Sequence, residues 1–147
     1  VIQHVLHQLE LEDFQDKPIS ELSGGELQRV FIGMSLAQEP QYMLLDEPTT
    51  YLDLNYQYQV LDIIRSLNEN FNITIIMVLH DINQAIEYSD EILCIHNNQV
   101  IQGPPEEVVT ESFISHVYNI DAKIIHDPEC GMLICKRKGR ATRENHH

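Results

Sequence analysis

Basic residues are scarce: nine Lys and Arg stand against 23 Asp and Glu, a net charge of −14. Nonspecific nucleic-acid binding depends on cations that neutralise phosphates, so no nucleic-acid partner is expected. No apolar run approaches the roughly 20 residues that span a bilayer. No secretory signal precedes the first helix-like stretch. Cysteine is sparse and odd in number, with Cys94, Cys130 and Cys135, and the spacing fits no zinc site. Cys130 and Cys135 flank an expected turn and could pair, but reduced thiols are the default without a signal peptide. The eight histidines form no HxH or HExxH pair, so no structural metal site is read. Internal repeats and low-complexity stretches are absent. What is present is 147 residues, 43% hydrophobic and 22% charged, the composition of a globular protein with room for a real core. Val1 is not a natural start, so a longer parent is expected.

The charge is uneven. Residues 1–135 carry four basic and 22 acidic residues, and residues 136–147 carry five basic and one acidic. The basic end is expected to be a disordered tail, with contact to an acidic membrane surface as the alternative.

Tyr42-Met43-Leu44-Leu45 runs into Asp46-Glu47 and stops at Pro48. A short apolar run before a breaker reads as a buried, parallel strand. Such a strand delivers both acids to the end where open α/β sheets bind ligands. Adjacent carboxylates are costly unless a cation, water or donors meet them. A magnesium ion with a water to activate would serve both; solvated acids at an ordinary strand end are the plainer reading.

Upstream, Val1 to Leu11 has helical apolar spacing. Ser23 and Glu26 have the spacing of a capping box, and Leu27, Val30, Phe31 and Met34 follow as an apolar stripe. A helix is expected from Gly24 to about Gln38, before Pro40. Gly24 and Gly25 weaken its first turn but would let an anion approach bare N–H groups at a positive helix end; a glycine-rich entry without ligand stays open. Downstream, Leu54 to Asn68 reads as a helix and Ile73 to Leu79 as a second buried strand ending in His80-Asp81. Asp81 can cap a helix to about Tyr88. Glu91–His96 and Gln99–Gln102 form an expected hairpin over Asn97-Asn98. Two short helices and a closing hairpin, Ala122–His126 with Met132–Lys136, complete the chain.

Four of these stretches together carry a resemblance. Leu22-Ser23-Gly24-Gly25-Glu26, Leu44-Leu45-Asp46-Glu47-Pro48-Thr49, Leu52-Asp53 and His80-Asp81 resemble the signature motif, Walker B, D-loop and switch histidine of ATP-binding-cassette (ABC) ATPases. The resemblance reaches to about Lys136. Thr49-Thr50-Tyr51-Leu52-Asp53-Leu54, Val78-Leu79-His80-Asp81-Ile82-Asn83 and Gly103-Pro104-Pro105-Glu106-Glu107-Val108 resemble the importer subfamily for iron(III)-siderophores, haem and cobalamin. Most cassettes have a small residue where this chain has Tyr51, and most have glutamine where it has Glu26. The G-x-x-x-x-G-K-[ST] phosphate loop is absent from these 147 residues.

The resemblance implies an α/β fold: a partial P-loop NTPase (RecA-like) core of an ABC ATPase with the end of its helical subdomain. Residues 1–40 would close the helical subdomain, 41–136 would be the C-terminal half of the core, and 137–147 the basic tail. The cofactors implied are ATP and Mg2+. Asp46 would hold magnesium through water, Glu47 would deprotonate the attacking water, and His80 would hydrogen-bond the γ-phosphate. Adjacency is expected to set Asp46 and Glu47 on opposite sides of the strand end. Ser23, Gly24, Gly25 and Glu26 would meet the nucleotide of a second copy of the ATPase subunit, and Asp53 would bridge the two sites. Two transmembrane permease subunits and, indirectly, a substrate-binding protein complete the implied partners, at the cytoplasmic face of the membrane. The chain alone would not hydrolyse ATP. Two alternatives remain: a non-transport ABC ATPase, and a truncated, non-catalytic interaction half.

Overall fold

The computed structural model describes residues 2–137. The part of the expected tail from Lys138 onward lies outside them. The chain divides into two compact units, one ending at His80 and the other beginning at Asp81.

In the first unit, α1 (Ile2–Gln8) precedes α2 (Gly24–Leu36), β1 (Tyr42–Asp46), α3 (Leu54–Phe71) and β2 (Thr74–Val78). Helix α1 stops short of the expected Leu11 because Glu10 takes a left-handed φ of 53°. The capping box at α2 forms as its spacing predicts: Ser23 Oγ accepts from Glu26 N–H, and Glu26 accepts from Ser23 N–H. Helix α2 ends at Leu36, ahead of a left-handed Glu39 and Pro40.

The stripe that α2 buries is not the expected one. Gly25, Arg29, Ile32, Gly33 and Leu36 face inward, while Phe31 and Met34 are exposed. The glycines explain the rotation. A Cβ on Gly33 would lie 2.7 Å from Leu9 Cδ1, and one on Gly25 would lie 2.9 Å from the Tyr56 ring. Hydrophobic periodicity takes no account of glycine, yet these two let α2 sit closest to its neighbours on that side. Arg29 is buried with them and donates to Glu10 and to the Leu9 carbonyl.

Strands β1 and β2 pair in parallel, Tyr42 opposite Thr74 through Asp46 opposite Val78. Asp53 caps α3 by accepting from Tyr56 N–H, and Asn72 closes it in a left-handed C-cap. Val60, Leu61, Ile64 and Leu67 of α3 are buried. All but Leu61 belong to one core with Val5, Leu9, Ile32, Leu36, Met43 and Ile73, against which Leu45, Ile75 and Met77 pack. The expectation that both strands are buried needs correction: only one sheet face is covered. Leu44 is 75% exposed and Ile76 56%, with Tyr42 and Val78 also open. Continuous apolar composition suits a strand covered on both faces, but among the described residues no layer covers the second face.

The second unit contains α4 (Ile82–Tyr88), the antiparallel hairpin of β3 (Ile92–His96) and β4 (Gln99–Gly103), α5 (Pro105–Val108), α6 (Glu111–Tyr118), and a second antiparallel hairpin of β5 (Ala122–Asp127) and β6 (Gly131–Lys136). Asn97 and Asn98 both take positive φ, as a tight hairpin turn requires. Ile92, Val108, Val109, Phe113, Ile114 and Ala122 form its core. Asn83 accepts from Ile134 N–H at 2.8 Å, tying α4 to the closing hairpin. Cys94, Cys130 and Cys135 are free thiols, so the conceivable pair does not form.

Candidate active site

Parallel pairing with Asp46 opposite Val78 brings the ends of β1 and β2 side by side. Residues just past each end therefore meet. The Glu47 carboxylate and His80 Nε2 are 2.7 Å apart. The other carboxylate oxygen accepts from Thr50 Oγ1 at 3.0 Å. The His80 contact, and then the Thr50 hydroxyl, hold the Glu47 carboxyl below its ordinary range. Both its oxygens thus have partners, and it is ionised at neutral pH.

Strand alternation does not decide where Glu47 points. The strand ends at Asp46, and Glu47 turns off it with a left-handed φ of 49°. A non-glycine residue held there is strained, and such strain concentrates at functional sites. The turn, Thr50 and His80 aim the side chain, while Pro48 and Thr49 are buried behind it. Asp46 remains exposed at the strand end.

Ser23, Gly24, Gly25 and Glu26 form the start of α2, away from the β1–β2 ends in sequence but joined to them by one loop. Leu52 Cδ2 lies 3.7 Å from where a Gly24 Cβ would be, and Gln57 Nε2 donates to the Leu52 carbonyl at 2.9 Å. The two glycines differ. Gly24 is exposed and a Cβ there would meet only an ordinary contact with Leu52; Gly25 is buried beneath Tyr56. The capping box leaves the Gly24 and Gly25 N–H groups as the donors at this helix end, and Glu26 keeps its charge there. Its carboxyl is lowered chiefly by the Ser23 backbone N–H, then by the Ser23 hydroxyl. Asp53 serves locally as the α3 cap.

Thr50 stands in a quoted motif but was given no role, and Tyr56 and Gln57 escaped the motif reading. Thr50 had a signal, a hydroxyl three residues after Glu47; Tyr56 and Gln57 had none, because their contacts depend on how α3 lies against α2 and the loop.

Among the described residues no group of three or more His, Cys, Asp or Glu could hold a metal by itself. Magnesium bound to nucleotide keeps several waters and needs only one or two carboxylates beside phosphate oxygens. The exposed Asp46 carboxylate fits that requirement. The open approach to Gly24 fits a phosphate at the α2 end.

A family model described as ABC transporter matches residues 1–50. The achromobactin transport ATP-binding protein CbrD of Dickeya dadantii is 43% identical over 141 residues, covering 95% of this chain and 52% of that protein. The probable siderophore transport system ATP-binding protein YusV of Bacillus subtilis is 41% identical over 140 residues, covering 95% and 51%. This chain belongs to the ABC transporter ATP-binding family. Solved structures agree on the fold. An ABC transporter in an inward-facing conformation superposes with a TM-score of 0.84 at 24% identity, over 93% of this chain and 56% of that one. The ATP-binding cassette MJ0796, a dimer bound to ADP and Pi in a post-hydrolysis state, gives 0.58 at 32% identity, over 70% and 45%. The chain spans about half the length of the curated relatives it matches. Among the described residues of this ABC-family chain, no helix is long and apolar enough to cross a membrane.

Proposed function

We propose that this chain is the catalytic-carboxylate half of an ABC importer's ATP-binding subunit, coupling ATP hydrolysis to uptake of iron–siderophore complexes. The observation that carries the reading is Glu47, strained and ionised, held between Thr50 and His80 beside the exposed Asp46. The siderophore-transport roles by which CbrD and YusV are known support the cargo.

Phosphoryl transfer asks a protein mainly for positioning and charge neutralisation. Bound magnesium would supply charge neutralisation at the phosphates, with Asp46 holding it through water. Glu47 orients a water and takes its proton. His80 is within hydrogen-bond reach of Glu47 and presents its ring to the γ-phosphate. Ser23, Gly24 and Gly25 receive the γ-phosphate of a second copy's nucleotide, aided by the α2 dipole, with the Glu26 charge weakening that contact slightly. Asp53 bridges the two sites. The dimeric MJ0796 cassette supports a two-copy assembly. Two permease subunits, and a substrate-binding protein indirectly, complete the machine at the cytoplasmic membrane face. Residues 1–40 belong to the helical subdomain of that subunit and 41–136 to its RecA-like core. The 147-residue chain without its phosphate loop does not turn over ATP.

The test is ATPase activity of the full-length subunit assembled with its permeases. Glu47→Gln should lower kcat by about a hundredfold or more, the usual share of a general base. Unchanged turnover in that variant refutes the assignment. Stimulation by iron–siderophore, and not by haem or cobalamin, checks the cargo.

A further inference from the structure

We infer that Tyr56 is a positioning residue for the start of α2, and that Gly25 lacks a side chain to admit the Tyr56 ring rather than to admit phosphate. This rests on the reading above, in which that helix end receives the phosphate of a second copy's nucleotide. The contact itself lies inside the first unit. A Cβ on Gly25 would lie 2.9 Å from Tyr56 Cδ1, 3.3 Å from Cγ and 3.4 Å from Cε1. Three ring atoms thus occupy the space that a side chain at 25 needs, and Gly25 is buried beneath them. The missing side chain points into the fold, at the ring.

The ring cannot step aside cheaply. The crowded atoms are its root and near edge, placed by two side-chain torsions that have few wells on a helix. The backbone beneath is held as well. Tyr56 N–H donates to the Asp53 carboxylate at 3.1 Å, and Gln57 N–H to the Asp53 carbonyl at 2.9 Å. Gln57 Nε2 holds the Leu52 carbonyl at 2.9 Å. The first turn of α2 has looser support elsewhere. Its capping box ties Ser23 to Glu26, which shapes the turn without fixing it against α3. Gly24 meets Leu52 only at an ordinary 3.7 Å. The seat of Gly25 on the ring therefore sets the depth and direction of the turn that presents the Gly24 and Gly25 N–H groups. An anion needs those N–H groups, and alanine at 25 would keep its own; what alanine would lose is the seat.

The experiment uses the full-length subunit with hydrolysis arrested by Glu47→Gln. Denaturant titration reads stability, and sedimentation reads ATP-dependent dimerisation. Gly25→Ala should lower both, dimerisation by about tenfold or more. Tyr56→Ala should also weaken dimerisation by about tenfold, whereas Tyr56→Phe, which keeps the ring carbons, should stay within about twofold of the parent. Adding Tyr56→Ala to Gly25→Ala should recover about tenfold over Gly25→Ala alone, because the new methyl takes space that the ring gives up. Where Gly25→Ala does not fold, the double variant should fold and dimerise. A double variant as weak as Gly25→Ala, or one that fails to fold with it, overturns the inference alone. So does a Tyr56→Ala variant that loses stability but dimerises as tightly as the parent, since its ring would then serve only the fold. An arrested parent that stays monomeric with ATP overturns the dimer reading and the inference together.

Discussion

Two glutamates in the first unit invite comparison. Glu26 and Glu47 both have carboxyls held below the ordinary range, yet by opposite routes. Glu26 turns back on its own helix, accepting from the Ser23 N–H three residues earlier. Glu47 is met by a hydroxyl from its own loop and by a histidine 33 positions along the chain. The first arrangement is complete within four residues and stabilises a helix end. The second exists only when β1 and β2 pair, and it leaves a charged, strained acid facing the open end of the sheet. A depressed carboxyl therefore does not by itself mark a catalytic group; the sequence distance of its partners separates the local cap at Glu26 from the contact that the proposed function assigns to Glu47.

The comparison breaks most readily in catalysis. Glu26→Gln should leave kcat of the assembled enzyme within about threefold, against the hundredfold or greater loss expected at Glu47. Equal losses at the two positions would erase the distinction.

Core packing gives the next largest effect. Gly33→Ala forces a Cβ to 2.7 Å from Leu9, which is fully buried, and should destabilise the chain by about 1–3 kcal/mol. Gly24→Ala meets only ordinary contact at 3.7 Å and should leave thermal stability unchanged, while weakening ATP-driven dimerisation. Denaturant titration of both variants, with sedimentation of the second, reads the two effects. A destabilised Gly24→Ala variant would show that the open glycine serves the fold. At the cap itself, Ser23→Ala should cost about 1 kcal/mol in the same titration.

Acid sharpens the contrast further. A depressed carboxyl contributes stability that is complete above its unfolded value and is lost as pH falls through the folded value. Both glutamates are depressed, so both contacts should persist through the ordinary carboxylate range and fail only below it. Amide-proton shifts of Ser23 followed against pH report the cap. Loss of the Ser23 signal at or above the ordinary glutamate range would contradict the capping box. The Ser23 signal should be indifferent to His80→Ala, which removes the partner of Glu47.

What could be read in advance follows the same division. Ser23 with Glu26 and Asp81 at helix starts, and Asn97-Asn98 at a hairpin, act through neighbours a few residues away, so local chemistry was enough; the Asp53 cap of α3 is equally local but went unread. The apolar runs at 42–45 and 73–79 located the parallel strands but overstated their burial, because composition alone does not say how many layers cover a sheet. The α2 stripe was misplaced since Gly25 and Gly33, which apolar periodicity ignores, lie on its buried side, where a Cβ would crowd Tyr56 and Leu9. His80 beside Glu47 was expected from the family pattern. Their direct contact, the left-handed turns at Glu47 and Tyr51, and the Tyr56 ring over Gly25 needed the tertiary fold.

Helix α3 also carries a kinetic consequence. Tyr42 and Thr74 are register partners, so the parallel pair must close a long stretch of chain before any of its hydrogen bonds form, a costly step for a flexible segment. Here that stretch is largely an 18-residue helix with its own caps, Asp53 at one end and Asn72 at the other. A helix formed early shortens the effective gap and sets the apolar ridge of Val60, Ile64 and Leu67 where both strands can settle. We expect α3 with β1 and β2 to make up the folding nucleus of the first unit. Ile64→Ala should then slow refolding more than it speeds unfolding, whereas a change confined to α1, such as Val5→Ala, should act mainly on the unfolding rate. Stopped-flow rates on both variants, with the opposite ranking, would move the nucleus away from this helix.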